Sequence, residues 1–248
     1  MPELKLPPRS ASVSDLMDAA TTVFRMTLAK ALPAALFAML LAGLPDMYWM
    51  TTGKPFDFLH PPLDSRFWAL AAVGLVCYQF LAAIVMLRQR AMMDGAAPDL
   101  NREASTALRR WPMLVATYVL GSAAIFAGCL LLIVPGLYLL FCLLLLRPVV
   151  LFEAGSPLQA LVRCVRLVRP IWPKVMAAAV IAVLIFFVCT IAAGACLGIL
   201  HAIVAAAGAQ STAFSAFSAA CQLGIEAVAL VYFNALWLVL YSVASSSA

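Results

Sequence analysis

Five polar side chains lie within otherwise apolar stretches of this 248-residue sequence, and they are the first candidates for chemistry. They are Gln79, Arg147, Gln222, Glu226 and Asn234. A charge at the centre of a membrane-spanning helix costs at least about 2.5–3.5 kcal/mol, so it is expected to face the protein interior or water. Arg147 is therefore a candidate to bind an anion or a lipid headgroup.

A polar stripe is predicted in the last apolar stretch, because four polar residues share one arc of an α-helix. The stripe consists of Ser215, Ser218, Gln222 and Glu226, and Asn234 lies farther round the helix. Two interpretations remain open for each charge. Glu226 either lines a cavity, paired with Arg147 or His201, or lies at the outer interface. Arg147 either binds a ligand or extends its long side chain towards the cytoplasmic interface.

Catalysis by a metal ion or a nucleophile has little support in the sequence. It has two histidines, His60 and His201, and no clustered carboxylates. Six of the seven cysteines lie in apolar runs and none forms a CxxC pair, whereas zinc sites and hydrolytic metal centres need grouped ligands. The formal charge is +5, but no basic stripe with stacking aromatic residues is present. We therefore expect a non-enzymatic protein with no cofactor, no metal and no nucleic-acid partner.

The composition indicates an integral membrane protein. Hydrophobic residues make up 65% and charged residues 11% of the chain, whereas soluble domains have about 45–50% apolar and about 25% charged residues. Several apolar runs approach or exceed the roughly 20 residues that cross a bilayer as a helix. The predicted fold is one all-α membrane domain over residues 12–245, between disordered residues 1–11 and a tail at 246–248. Its six transmembrane helices are predicted at about 27–48, 67–87, 113–134, 137–152, 175–200 and 222–243.

Three amphipathic helices are predicted on the cytoplasmic side, each ahead of a pair of spans: residues 12–30, 99–110 and 157–170. Ser12 and Asp15 have the spacing of a capping box, and Ser156 and Pro157 are a typical N-cap and first helical residue. Pro112 is expected to end the second helix. Each amphipathic helix and its two spans form one unit, which predicts a threefold helix-plus-hairpin repeat, although any six-span protein also divides into hairpins.

The distribution of basic residues predicts the orientation of the chain. Lys and Arg are concentrated before the first span and in the connectors after the second and fourth spans, whereas the opposite side has only Lys54 and Arg66. The positive-inside rule therefore places both termini in the cytoplasm. Four basic residues are expected to attract anionic lipid headgroups at that surface: Arg163, Arg166, Arg169 and Lys174.

Two local motifs concern how neighbouring helices meet. Pro135-Gly136 is predicted to form a tight turn between the third and fourth spans, because one continuous helix would be too long for a bilayer. Gly194 and Gly198 have the spacing of a small-residue packing motif. For this motif we expect packing within the chain rather than a dimer interface.

Three consecutive sequence elements between residues 128 and 174 carry a family resemblance: LLLIVPGLYLL, RPVVLFE and SPLQALVRCVRLVR. In this order they resemble a bacterial inner-membrane family related to the glycerophosphoryl diester phosphodiesterase membrane domain. Cys164 stands where that family usually has serine, and Arg147 interrupts a run expected to be apolar. The resemblance implies a bacterial inner-membrane protein that is not an enzyme. Phosphodiesterases with such a domain carry their catalytic machinery in a separate soluble domain.

Two functional hypotheses follow. The first is a non-enzymatic inner-membrane protein with an accessory, lipid-associated or scaffolding role, whose partners are anionic lipids and a partner protein or a second copy of the chain. The alternative is a transporter or channel for a small or amphiphilic solute, lined by Gln79, Arg147, Glu226 and Asn234. The choice depends most on whether Arg147 and Glu226 face a shared cavity.

Overall fold

The computed structural model describes residues 7–8, 10–52, 64–153, 155–206 and 212–246. All regular elements in these ranges are helices, and six of the helical stretches are long and apolar enough to cross a membrane. This confirms the predicted all-α, six-span fold class. The helices are α1 Val13–Ala42, α2 Leu44–Thr51, α3 Ser65–Met93, α4 Leu100–Leu131, α5 Ile133–Cys142, α6 Leu146–Phe152, α7 Pro157–Val168, α8 Trp172–Ala206 and α9 Thr212–Ser245.

Helix α1 begins at the predicted capping box. The amide of Asp15 donates to the Ser12 hydroxyl at 3.2 Å, and the Asp15 carboxylate accepts from the amide of Ser12 at 2.8 Å. The surface location of the amphipathic helix predicted at 12–30 stays a prediction. This segment is the first part of α1, which continues without a break through Pro33. Its buried positions recur every three or four residues from Leu16 to Ala38, and the helix packs mainly against α9 and α3.

Helix α4 corrects a second boundary. The predicted helix 99–110 does not end at Pro112, which lies inside one continuous helix. A proline removes a single backbone donor, and neighbouring helices make such a residue tolerable in a membrane span. A neighbouring helix contacts α4 beside this proline: the indole N–H of Trp111 donates to the carbonyl oxygen of Val76 in α3 at 3.2 Å. The predicted third span is therefore the second half of a longer helix.

The turn between α4 and α5 lies at Leu132, three residues earlier than predicted. Leu132 has extended backbone angles (φ −163°, ψ 142°) and separates the two helices by itself. Pro135 lies in the first turn of α5, where a missing N–H costs nothing. At Gly136 the helices press together, since an added Cβ atom would lie 2.7 Å from the backbone nitrogen of Cys129. Gly136 thus serves the packing of α4 against α5 rather than the turn.

Helices α5 and α6 together form the fourth span, Ile133–Phe152, joined by a single 3₁₀ turn at Leu143–Leu145. Helix α7 lies within the predicted range 157–170, and a second 3₁₀ turn at Arg169–Ile171 joins it to α8 without a break. Its start is also confirmed: the amide of Gln159 donates to the Ser156 hydroxyl at 3.4 Å, and Pro157 is the first helical residue.

The Gly194 and Gly198 motif does not pack as predicted within the described residues, whereas the repeat and the disordered ends stay predictions. An added Cβ atom at Gly194 or Gly198 would meet no atom of the described residues within 4 Å, so the expected packing of this motif within the chain is wrong for that part of the structure. The threefold repeat stays a prediction. So does disorder at residues 1–11 and 246–248, most of which lie outside the described ranges, as do Lys54 and His60.

Candidate functional site

Arg147 is buried in the helix bundle, with 7% of its surface exposed. It lies at the start of α6, directly after the 3₁₀ turn. Its Nη1 donates to Asn234 Oδ1 in α9 at 2.7 Å, and its Nη2 donates to Gln79 Oε1 in α3 at 2.9 Å. Three of the five polar residues predicted as candidates are therefore brought together by one guanidinium.

Two tyrosine rings flank the guanidinium. The Cζ atom of Arg147 lies 5.8 Å from the ring centroid of Tyr78 in α3 and 5.8 Å from that of Tyr118 in α4. The electron-rich face of an aromatic ring attracts a cation at this distance. Residues from α3, α4 and α9 thus surround the charge that Arg147 carries on α6.

The partners of Arg147 satisfy hydrogen bonds without neutralising its charge. Both acceptors are neutral amide oxygens, and no carboxylate of the described residues lies within 4 Å of the guanidinium. An arginine side chain cannot lose its proton in a protein. Its Nε is also buried without a hydrogen-bond partner in the described structure. Within the described residues, the site is therefore a buried cation with no carboxylate counter-ion and with an unused Nε donor.

A cavity of about 510 Å³ adjoins this cation. Its polar lining comes from Tyr78, Tyr118, Ser122, Arg147, Glu226 and Asn234. Its apolar lining includes Leu140, Leu143, Phe186 and Phe233. The volume falls within the range of about 300–1,000 Å³ for small-molecule sites. Arg147 and Glu226 consequently face one shared cavity.

Glu226 does not pair with Arg147. Its Oε1 accepts a hydrogen bond from Gln222 Nε2 at 3.1 Å, one helical turn earlier. Gln222 does not line the cavity among the described residues, and the His201 ring packs against Phe214, with centroids 5.3 Å apart. Hydrogen bonds therefore join Gln79, Arg147 and Asn234 directly. Glu226 lines the same cavity, and Gln222 lies outside its lining.

No protein-family model matches this chain, and comparisons with curated proteins and with solved structures give no match. Its six apolar helices establish one property on their own. The chain is a multi-pass membrane protein.

Three residues of the cavity of this membrane protein were not among the sequence candidates. Tyr78, Tyr118 and Ser122 all lie in apolar stretches, where a tyrosine is expected to contribute mainly apolar packing. One signal was present: Tyr118 and Ser122 are four residues apart and so share a helix face. Their proximity to Arg147 depends on contacts between distant helices, which local spacing does not contain.

The four basic residues predicted to attract lipid divide into two pairs. Arg163 Nε lies 2.8 Å from Glu153 Oε2 in an ion pair, and Lys174 Nζ donates to the carbonyl oxygen of Ala11 at 2.7 Å. Arg166 and Arg169 are exposed and have no hydrogen-bond or ion-pair partner within the described residues. Of the four, only Arg166 and Arg169 have all their N–H donors unused within the described residues.

A second buried polar cluster ties α1, α3, α4 and α9 together and contains no candidate from the sequence. Arg88 Nη2 lies 2.8 Å from Glu103 Oε2, and its Nη1 donates to the carbonyl oxygen of Lys30 at 2.7 Å. Gln89 Nε2 donates to the carbonyl oxygen of Val231 at 2.8 Å. Within the same described residues, no group of three or more His, Cys, Asp or Glu side chains is placed to hold a metal ion.

Proposed function

We propose that this chain is a non-enzymatic, multi-pass protein of the bacterial inner membrane that binds one anionic amphiphile in the cavity around Arg147. One observation carries the proposal: a buried guanidinium whose acceptors are the neutral amides of Gln79 and Asn234. A buried charge without a counter-ion is costly, and a bound anion would offset that cost. The family resemblance, which stays a prediction, supports the accessory, lipid-associated role.

The chemistry of the cavity suggests the class of ligand. Arginine presents five N–H donors, of which Arg147 uses two for Asn234 and Gln79 in the described structure. A carboxylate or phosphate group accepts from such a planar fork. Leucine and phenylalanine side chains on the cavity wall suit a hydrocarbon chain. Glu226 favours a ligand that also carries a hydroxyl or ammonium donor.

The test is to purify the full chain in a neutral detergent and to identify what remains bound by native mass spectrometry and lipid extraction. We expect one anionic amphiphile per chain. Arg147→Gln should lose it, whereas Arg25→Gln should keep it. Arg25 is exposed and forms no hydrogen bond or ion pair in the described part of the chain, so this control removes the same charge. An empty wild-type protein, or an Arg147→Gln chain that keeps the ligand, would contradict the proposal.

A second variant keeps the test valid if Arg147→Gln folds poorly. Asn234→Asp keeps the acceptor of the 2.7 Å hydrogen bond and places a carboxylate beside the guanidinium, although it loses the 3.3 Å bond that the Asn234 amide donates to the Ala82 carbonyl oxygen. This internal counter-ion removes the reason to bind an anion, so the variant should fold and purify without the ligand. If Asn234→Asp retains the same molecule as the wild type, charge compensation does not explain binding.

Transport of a small or amphiphilic solute is a second candidate function, favoured by the cavity that Arg147 and Glu226 share. It is tested by flux into liposomes that contain the wild-type chain, Glu226→Gln or Arg147→Leu. Transport through this cavity requires that both substitutions change the rate. Absence of flux in the wild type, or unchanged flux in either variant, would exclude it.

A further inference from the structure

Arg166 and Arg169 lie three residues apart, at the end of α7 and in the 3₁₀ turn that follows. Residues at this spacing are neighbours on one face of a helix. As stated above, neither has a hydrogen-bond or ion-pair partner within the described structure, whereas Arg163, one turn earlier, is held by Glu153 at 2.8 Å. Two adjacent guanidiniums therefore present unused donors on the same surface.

The two arginines line a groove of about 370 Å³ between α7 and the α4–α5 hairpin. The other lining residues are all apolar and include Ala124, Leu139, Leu143, Leu161 and Val165. The groove wall is open to its surroundings, since Val162 on α7, another of its lining residues, is 58% exposed. A surface that combines paired cations with an apolar groove matches a molecule with an anionic head and a hydrocarbon tail.

We propose that this groove is a binding site for one anionic phospholipid. Its phosphate group accepts hydrogen bonds from Arg166 and Arg169, and one acyl chain lies along Leu139, Leu143 and Leu161. The planar fork of donors in arginine matches phosphate geometry. An acidic protein segment would use the same charges but would leave the groove between α4, α5 and α7 uncovered. This site is distinct from the cavity around Arg147, with which it shares only the lining residue Leu143.

The experiment titrates dioleoyl phosphatidylglycerol or dioleoyl phosphatidylcholine into the full chain in a neutral detergent and counts bound lipids by native mass spectrometry. We expect phosphatidylglycerol to occupy one site at lower concentration than phosphatidylcholine. The Arg166→Gln/Arg169→Gln chain should bind phosphatidylglycerol about 25-fold more weakly, or about five-fold for each charge. It should also lose the preference between the two lipids.

Two control variants separate a defined site from diffuse attraction. Arg163→Gln removes the same charge from the same helix, but Glu153 already pairs with it, so its binding should change by about two-fold or less. Ala124→Phe keeps every charge and fills the groove, so it should weaken phosphatidylglycerol binding. Equal losses in Arg163→Gln and the double variant, or unchanged binding in Ala124→Phe, would overturn the proposal.

Binding in the cavity around Arg147 and binding in the groove can be tested independently. The Arg166→Gln/Arg169→Gln chain should still copurify with the ligand of the cavity, because both substitutions lie outside its lining. Conversely, Asn234→Asp should empty the cavity and leave the phosphatidylglycerol titration unchanged. If Asn234→Asp abolishes the titrated site as well, the groove is not an independent site and the inference is wrong.

Discussion

At the scale of single residues, the hydrogen bonds of the buried Arg147 satisfy part of its guanidinium without neutralising its charge. Arg147 donates to two amide oxygens, and Gln89 donates to a backbone carbonyl oxygen. Such bonds remove the cost of an unsatisfied donor, but the charge of Arg147 remains. The rings of Tyr78 and Tyr118 add further electrostatic stabilisation of the cation.

The contribution of the Tyr118 ring can be measured directly. Tyr118→Leu removes the aromatic face that lies 5.8 Å from the guanidinium, so we expect thermal unfolding in detergent to show a loss of about 1–2 kcal/mol. Tyr118→Phe keeps the ring and is the matched control, with a smaller loss. If both substitutions destabilise equally, the hydroxyl group rather than the ring stabilises the site.

At the scale of helices, the α4–α5 hairpin shows how glycine allows close approach. The Cβ atom that an alanine adds at Gly128 would lie 3.0 Å from the Cα atom of Gly136, and one at Gly136 would lie even closer to Cys129. The two helices meet through backbone, as small residues permit in membrane proteins. The hairpin therefore depends on two glycines rather than on its turn residue.

Alanine substitutions at Gly136 and at Gly198 should have opposite effects on stability. Gly136→Ala should lower stability by about 1–3 kcal/mol in thermal unfolding, because the added methyl group forces the helices apart. Gly198→Ala should be neutral or slightly stabilising, since alanine favours helix and nothing described lies within 4 Å. A large loss for Gly198→Ala would instead show that this face packs against a surface outside the described residues.

Helix starts were predictable from the sequence, whereas internal breaks and long-range contacts were not. Ser12 and Ser156 are followed three residues later by side chains that complete capping boxes, so the signal is local. Pro112 was expected to end a helix, but packing overrides such a propensity. Leu132 carries no mark of a turn in its residue type. Arg147 stood out as a charge in an apolar run, although its partners lie 68 and 87 residues away.

At the scale of the whole molecule, the basic segments that predict orientation contact one another. Arg88 in α3 donates to the carbonyl oxygen of Lys30, and Lys174 donates to that of Ala11. Arg110 Nη1 donates to the carbonyl oxygen of Glu153 at 3.4 Å. Segments in such contact belong to the same side of a membrane, as the positive-inside rule requires of the basic connectors.

A reporter fusion tests that orientation. Green fluorescent protein joined after Ala248 should fluoresce, and alkaline phosphatase at the same point should be inactive, because the positive-inside rule places this end in the cytoplasm. A phosphatase joined after residue 57, in the loop that carries few basic residues, should be active. The reverse pattern would contradict the orientation and, with it, the assignment of Arg166 and Arg169 to the cytoplasmic surface.

The pairing of Arg147 also imposes an order on biosynthesis. Gln79 precedes it by 68 residues and Asn234 follows it by 87. At a translation rate of about 5–20 residues per second, the second amide is synthesised about 4–17 s after the arginine. During that interval the fourth span carries a charge with only one of its two amide acceptors. The last helix therefore completes the site, and assembly of this protein cannot finish span by span.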